Sequence, residues 1–411
     1  YRSTATILKA ANAVIANNQG RLGKELWTDS HDGDPIAVYA AFNEQDEARF
    51  IVDRISSWVE KGGNHRDAAL LYRSNAQSRT LEEALLQRGM PYVVYGGQRF
   101  YERLEIKNAL AYMRLLVNRH DDPAFERVIN TPTRAIGERT IEDIRAHARM
   151  QQCSLWQAAD TLIQNGQFTA RAANAVRAFA GLINRLDVET RDLALHKQAE
   201  HTVNTSGLLD FHRNEKGEKG LSRVENLQEL FNACKAFEPE DSEADALQQF
   251  LSTTALDAGD AQADPHSDSV QLMTLHSAKG LEFPLVFIAG VEENLFPHKM
   301  SLDEAGKLEE ERRLCYVGIT RARQKLYLCY AENRRLYGSD TFNMPSRFIR
   351  EIPSELLEEV RVRATISRPV NYGYSQRNAV QANSSQQDPA KSSQPASVAP
   401  ALTRKHATQR S

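Results

Sequence analysis

Two stretches of this sequence concentrate side chains that can do chemistry. The first, Gln271-Leu-Met-Thr-Leu-His-Ser-Ala-Lys-Gly-Leu-Glu-Phe-Pro284, is an apolar run leading into a small-residue turn. Its turn carries His276, Ser277, Lys279 and Glu282: an imidazole, a hydroxyl, an ammonium and a carboxylate at one lip. Ala278 and Gly280 keep that lip slim enough for a ligand or another backbone to come close. Any one of these residues alone reads as a solvated loop side chain. The second stretch, Glu309-Glu-Glu-Arg-Arg-Leu-Cys-Tyr-Val-Gly-Ile-Thr-Arg-Ala322, is a charged helix ending in an arginine. Leu314, Val317 and Arg321 fall on one helical face, so the two apolar residues pack on a sheet and Arg321 projects at its edge. Taken alone, Arg321 is equally a C-terminal cation that complements the helix dipole.

The elements that must position these residues are legible in the periodicity. Ile36–Ala41, Ala68–Tyr72 and Tyr92–Tyr95 read as short buried strands, separated by amphipathic helices. The first helix is capped by Asn43, carries the stripe Ala48, Ile51, Val52, Ile55, Trp58 and Val59, and stops at Gly62-Gly63. The second carries Leu81, Ala84 and Leu85 and stops at Gly89. Strands alternating with helices imply a parallel sheet covered on both faces. From Glu102 to Leu251 the periodicity is helical throughout, with stripes such as Ile106, Leu110, Met113 and Leu116/Val117, and Val224, Leu227, Leu230, Phe231 and Cys234. Strand character returns at Val270–Thr274, Leu285–Ala289 and Leu326–Tyr330, with a helix from Lys307 to Arg321 between the last two. The fold class expected is α/β, one sheet domain interrupted by an all-helical insertion, with Ala255–Ser269 as the return linker. Polar ligands in such sheets gather at the carboxyl ends of the strands, which points to the turn after Thr274.

Composition narrows the class. Hydrophobic residues at 41% and charged residues at 26% are ordinary for a soluble globular protein, and a net charge of −3 confines any nucleic-acid site to a local cleft. Cys153, Cys234, Cys315 and Cys329 show no paired spacing; the first three fall in helix-like segments and the last in a strand-like one. They read as buried apolar residues of a reducing, cytoplasmic compartment, and no metal set is expected. No apolar run approaches a membrane span. After Val370 the sequence turns to Ser, Gln, Asn, Pro and Ala, and 366–411 is expected to be a disordered tail. No Gly-x-x-x-x-Gly-Lys-Ser/Thr phosphate loop occurs, and the first residue is Tyr1, so the expectation is of a start of translation further upstream.

The two opening stretches resemble motifs V and VI of the UvrD/Rep/PcrA superfamily 1 DNA helicases at almost every position, and the resemblance runs in order over about residues 1–365. It implies a RecA-like motor domain 2A (1–98 and 267–365) carrying an inserted helical domain 2B (99–266). Tyr1-Arg-Ser-Thr4 resembles motif IV cut at its start, which implies that Tyr1 stacks on adenine and that Arg2 meets the γ-phosphate. Arg321 would then be an arginine finger and Glu282 a ribose contact. Leu70-Leu-Tyr-Arg-Ser-Asn-Ala-Gln-Ser-Arg79 is similar to the family's single-strand segment, which implies DNA contacts from Arg73, Ser74 and Asn75, shared with Thr274 and His276. The residues alone also allow an ordinary Asn/Ser helix cap there. Tyr95-Gly-Gly-Gln-Arg-Phe-Tyr101 resembles the lead into the inserted domain, or is a hinge packing on itself. Thr131-Pro-Thr-Arg-Ala-Ile-Gly-Glu-Arg139 resembles the duplex-contact loop, implying contacts from Thr133, Ile136 and Gly137. Ala135 replaces the first glycine of that turn, at a cost of about 1 kcal/mol if the position needs positive φ.

The activity implied is the second half of an ATP-dependent 3′→5′ helicase that moves on single-stranded DNA and unwinds duplex in repair and replication. ATP would lie against a partner motor domain whose residues hold Mg²⁺; DNA-repair proteins are further expected partners, and no membrane is. The chain alone, without a phosphate loop, is expected to be inactive. The rival reading is a non-enzymatic DNA- or partner-binding module that keeps the helicase fold. A helicase–nuclease ranks below both, since the tail carries no Asp/Glu/Lys cluster to hold nuclease metals.

Overall fold

A computed structural model of the chain describes residues 2–19, 27–28, 32–241, 245–259, 267–302, 304, 306–336 and 339–360. Tyr1 and the tail expected over 366–411 lie outside them. The described residues form one compact unit.

The framework is a seven-stranded sheet: β1 (Ile36–Ala41), β2 (Ala68–Tyr72), β3 (Tyr92–Val94), β4 (Val270–Thr274), β5 (Phe283–Ile288), β6 (Ala322–Ala331) and, beyond a β7–β8 hairpin (Asn333–Leu336, Ser339–Phe342), β9 (Leu357–Glu359). The spatial order is β3-β4-β2-β5-β6-β1-β9, and every pairing is parallel. This is the parallel α/β sheet the alternation implies, consistent with the RecA-like fold the resemblance implies. Parallel strands are buried on both faces and therefore read as continuous apolar runs. Their alternate residues supply two cores. Ala69, Leu71, Met273, Val286, Ile288, Leu326 and Leu328 face one side. Ala68, Leu70, Tyr72, Leu272, Leu285, Phe287 and Cys329 face the other.

Helices close both faces. Helix α1 (Ala5–Ala16) packs Ile7, Ala10, Ala11 and Val14 on the first core. It had no counterpart in the sequence reading, because its apolar residues run nearly all round and give a weak stripe. Helices α2 (Glu44–Glu60) and α3 (Ser78–Gln87) cover the second core with Ala48, Ile51, Val52, Ile55, Leu81 and Leu85. Asn43 caps α2 as expected, its side chain accepting from the Asp46 N–H at 2.8 Å. Glu47 also lies on the buried stripe of α2, four residues before Ile51. Its carboxylate meets Arg334, which donates from Nε to Glu292 at 3.0 and 3.1 Å, so three charged groups interlock beneath the β7–β8 hairpin.

Between the adjacent strands β3 and β4 the chain forms only helices among the described elements: α4 (Leu104–Val117), α5 (Asp122–Val128), α6 (Glu138–Gln151), α7 (Leu155–Gln164), α8 (Ala170–Thr190), α9 (Leu195–Thr205), α10 (Leu208–Arg213), α11 (Glu218–Ala236) and α12 (Ala246–Gly259). They bury two cores of their own, one around Ile106, Leu110, Leu227 and Leu230, the other around Tyr112, Phe125, Phe179 and Ile183. The linker expected from Ala255 is still helix α12 up to Gly259. Cys153 stands in the loop after α6, not in a helix. No helix among the described residues is long and apolar enough to cross a membrane.

Three short elements complete the second half: α13 (Lys299–Leu302), α14 (Lys307–Ile319) and α15 (Arg347–Arg350). Helix α14 ends two residues sooner than expected, with Thr320 as its C-cap, so Arg321 stands just past the helix. The face of α14 on the sheet is Leu314, Cys315, Gly318 and Ile319, while Val317 is only half-buried. Gly318 permits this approach: a Cβ there would come within 2.5 Å of Leu275 Cδ2 and 3.0 Å of Ile288 Cδ1. Replacing Gly318 with valine should therefore overpack the interface and cost about 1–3 kcal/mol. Urea unfolding that shows an unchanged midpoint would refute that contact.

Candidate functional site

Parallel pairing sorts the sequence-derived residues onto two opposite edges of the sheet. Arg73, Ser74 and Asn75 follow β2, and His276 follows β4 two residues after Thr274, so these five sit at the carboxyl edge. They line one groove of about 550 Å³, whose other wall is the N-terminal half of α11, with Ser222 and Glu225. Glu282 and Arg321 immediately precede β5 and β6 and therefore sit at the amino edge. The segment 275–282 was expected to be a single lip. Because β4 and β5 both run parallel to β2, it instead crosses from one edge to the other.

At the groove each residue of the Arg73–Asn75 loop is gripped by a helix. Arg73 Nε donates to both oxygens of Glu311 at 3.0 and 3.1 Å, and Nη2 donates to one of them at 2.8 Å. The side chains are 18% and 6% exposed, so this is a largely buried pair. Glu311 also accepts from the His298 N–H at 3.1 Å and the Ser301 hydroxyl at 3.2 Å. Burial pushes its carboxyl pKa up, but the Arg73 bonds and charge and these two donors outweigh that and hold it below the ordinary value. The Ser74 hydroxyl donates to Glu225 at 2.5 Å, and the other oxygen of Glu225 lies 3.2 Å from His298 Nε2. Asn75 Nδ2 donates to the Ser222 hydroxyl at 3.2 Å, and it is Ser74 that stands at the N-cap of the short 3-10 helix Asn75–Gln77. Gln77 closes the loop instead, accepting from the Arg73 and Ser74 N–H groups. Thr274 Oγ1 accepts from the Ser277 N–H. His276 is exposed, and partial desolvation with the nearby Arg73 charge lowers its pKa, so it is neutral at pH 7.

Sequence reasoning missed Glu311, Glu225, Ser222, His298 and Arg103, whose Nη1 donates to the Asn75 carbonyl at 2.9 Å and to Asn226 at 3.0 Å. For Glu311 a signal existed: it precedes Cys315 and Ile319 at four-residue spacing, a carboxylate on the buried stripe of its helix. A buried carboxylate must be paired, so its partner was worth seeking.

At the amino edge Arg321 is held in place by hydrogen bonds within the chain. Its Nε donates to the Val317 carbonyl at 3.0 Å, Nη1 to the Leu281 carbonyl at 2.7 Å, and Nη2 to Thr320 Oγ1 at 3.0 Å. Three of its five N–H groups are thus occupied, and two have no partner among the described residues. Burial lowers its pKa, and the neighbouring Glu282 and Tyr316 oppose that shift; the guanidinium remains charged. The exposed Arg2 lies near this edge, since the Thr4 N–H donates to the Arg323 carbonyl at 3.2 Å.

The loop at 131–139 has the conformation that its glycine-like position demands. Ala135 adopts φ +59°, a left-handed conformation that costs an L-residue about 1–2 kcal/mol. Thr133 and Gly137 are exposed, with Gly137 at the N-terminus of α6. Ile136 is buried in the helical core, and its N–H donates to Asn130 Oδ1 at 3.3 Å, so neither its side chain nor its amide faces outward.

Comparison with known proteins places this geometry. The model of the UvrD-like helicase C-terminal domain matches residues 1–333. The chain belongs to the UvrD-like helicase C-terminal domain family. DNA helicase II of Escherichia coli K12 is 60% identical over 374 residues, covering 90% of this chain and 52% of that protein. DNA helicase II of Haemophilus influenzae is 53% identical over 373 residues, covering 90% and 51%. ATP-dependent DNA helicase PcrA of Bacillus subtilis 168 is 42% identical over 397 residues, covering 90% and 53%. The chain spans about half the length of these curated relatives.

Within this UvrD-like domain the Arg73–Glu311 pair carries a pH signature. The carboxyl pKa is lower folded than unfolded, so its stabilisation is complete above the unfolded value near 4.5 and is lost as pH falls through the depressed folded value. Glu311→Gln should cost about 3 kcal/mol at pH 7, the low end for a broken buried pair because the Arg73 side chain is still partly open to water. Urea titrations should show that gap closing only in acid; a gap constant down to pH 3 would contradict the assignment.

Proposed function

We propose that this chain is the trailing motor half of an ATP-dependent DNA helicase. Residues 1–98 and 267–365 form domain 2A, and residues 99–266 form the inserted domain 2B. The observation that carries the reading is convergence. Arg73, Ser74, Asn75, Thr274 and His276, drawn from segments two hundred residues apart, line one groove, while a preset Arg321 stands at the opposite edge beside Glu282.

Single-stranded DNA lies in the groove, its phosphates meeting Asn75, Ser74 and the remaining N–H groups of Arg73 in an otherwise acidic-to-neutral body. ATP, when bound between this domain and its partner motor domain, supplies the phosphoryl transfer, and Tyr1, Arg2, Glu282 and Arg321 are this chain's contribution to holding it. Arg321 presents its two unpaired N–H groups towards the γ-phosphate, and its carbonyl partners fix the side chain so that little rotamer freedom is lost on engagement. Among the described residues no group of three or more His, Cys, Asp or Glu could hold a metal ion; by the family resemblance the Mg²⁺ ligands belong to the partner domain. Thr133 and Gly137 contact duplex DNA ahead of the junction; the buried Ile136 supports that turn from below. The 3′→5′ polarity, the role in repair and replication, and a cytoplasmic setting follow from the family resemblance.

The separation of edges makes the reading testable in the complete polypeptide. Arg321→Ala should lower kcat for ATP by about 10³-fold or more with little change in ATP affinity. Asn75→Ala should instead raise the DNA concentration for half-maximal stimulation about tenfold, the value of one lost hydrogen bond to a charged group. Parallel losses in both variants would refute the division. The chain alone should hydrolyse no ATP and bind single strands weakly. Tight strand binding without ATP dependence in the complete protein would favour the rival, a DNA-binding module that keeps the fold.

A further inference from the structure

Helix α14 joins the two edges of the sheet, and its two ends hold unlike things. Near its start Glu311 grips Arg73 at the strand groove, and just past its end Arg321 is pinned at the amino edge. Glu311 to Ile319 is a rise of roughly 12 Å of continuous helix. Its last turn is seated directly on Leu275 and Ile288 through Gly318, which has no side chain to cushion the contact. Leu275 itself lies between Thr274 and His276, two of the groove residues.

We propose that Glu311 is a positioning residue that links occupancy of the strand groove to the placement of Arg321, with α14 as the rigid connection. This rests on the helicase reading above. Arg73 uses Nε and Nη2 on Glu311 and has no partner for Nη1 among the described residues, so one planar guanidinium can join a phosphate to the carboxylate. A strand phosphate that moves Arg73 moves its bidentate partner. Glu311 is also clasped by the His298 N–H and the Ser301 hydroxyl, so its side chain is not free to change rotamer alone and a pull on it is shared between its own helix and residues 298–301. The far end of the same helix carries the Val317 carbonyl and Thr320, two of the three groups that aim Arg321.

The readout is linkage, not activity. In the complete polypeptide, the affinity for an oligo(dT) strand is measured with and without a non-hydrolysable ATP analogue, and the analogue's affinity with and without the strand. The two ratios must agree, because coupling between sites is reciprocal. In Glu311→Gln the ratio should fall at least threefold towards one, whatever the absolute affinities do. A ratio equal to wild type in a folded Glu311→Gln protein overturns the proposal and leaves the helicase reading standing. A wild-type protein that binds strand and analogue independently, or fails to bind one, overturns both. Should Glu311→Gln melt below the assay temperature, Arg73→Lys decides the matter. Lysine keeps the charge without the two-pronged grip, so the ratio falls if the connection runs through this pair and is unchanged if it does not.

Discussion

The strand β2 is the constraint from which the rest of the molecule follows. It pairs in parallel with β4 on one side and β5 on the other, so its backbone groups are satisfied along both edges and its side chains are buried on both faces. That single placement brings the residues after β2 and β4 to one edge and sends the residues before β5 and β6 to the other. Two chemically different sites then arise from chain direction alone. The groove at the carboxyl edge gathers hydroxyls, an amide and an imidazole, and the amino edge gathers a fixed guanidinium and a carboxylate.

What could be read from the sequence was set by how each feature encodes itself. The strands β1, β2 and β4 are continuous apolar runs flanked by turn residues, so their bounds were legible to the residue. Helix α1, the β7–β8 hairpin and β9 were not, because the first lacks a clear polar face and the others are short and rich in charge. The groove residues were legible through motif resemblance, yet their spatial company was not. Ser222 and Glu225 lie some 150 positions from Ser74 and Asn75, and no local pattern announces a contact across that distance.

Buried glutamates form a common thread. Glu47, Glu311 and Glu225 each sit on the inward side of a helix where an aliphatic residue would ordinarily stand, and each is matched by a polar partner from a distant segment. Such groups add little net stability over an apolar alternative, because desolvation offsets the attraction. An unpaired carboxylate in those positions is costly, which disfavours any arrangement that parts each glutamate from its partner. In a molecule whose helices hold Arg73, Ser74 and Arg321 in register across the sheet, that selectivity matters more than the energy.

The strand order has a consequence for how the chain comes into being. Among β1, β2 and β3 no two are neighbours: β4, β5 and β6 lie between or beside them, and all three are made later. The stretch from β1 to β3 therefore has no sheet of its own to form as it leaves the ribosome. About 175 residues separate β3 from β4, its only partner among the described strands, and at 5–20 residues per second their synthesis takes roughly 10–35 s. During that interval the helices, whose contacts are local, can assemble their own cores, while three apolar strands wait with open edges that would readily pair with another chain. The architecture thus reverses the order of the sequence, the helical segment between β3 and β4 maturing first and the strands on either side of it closing together last.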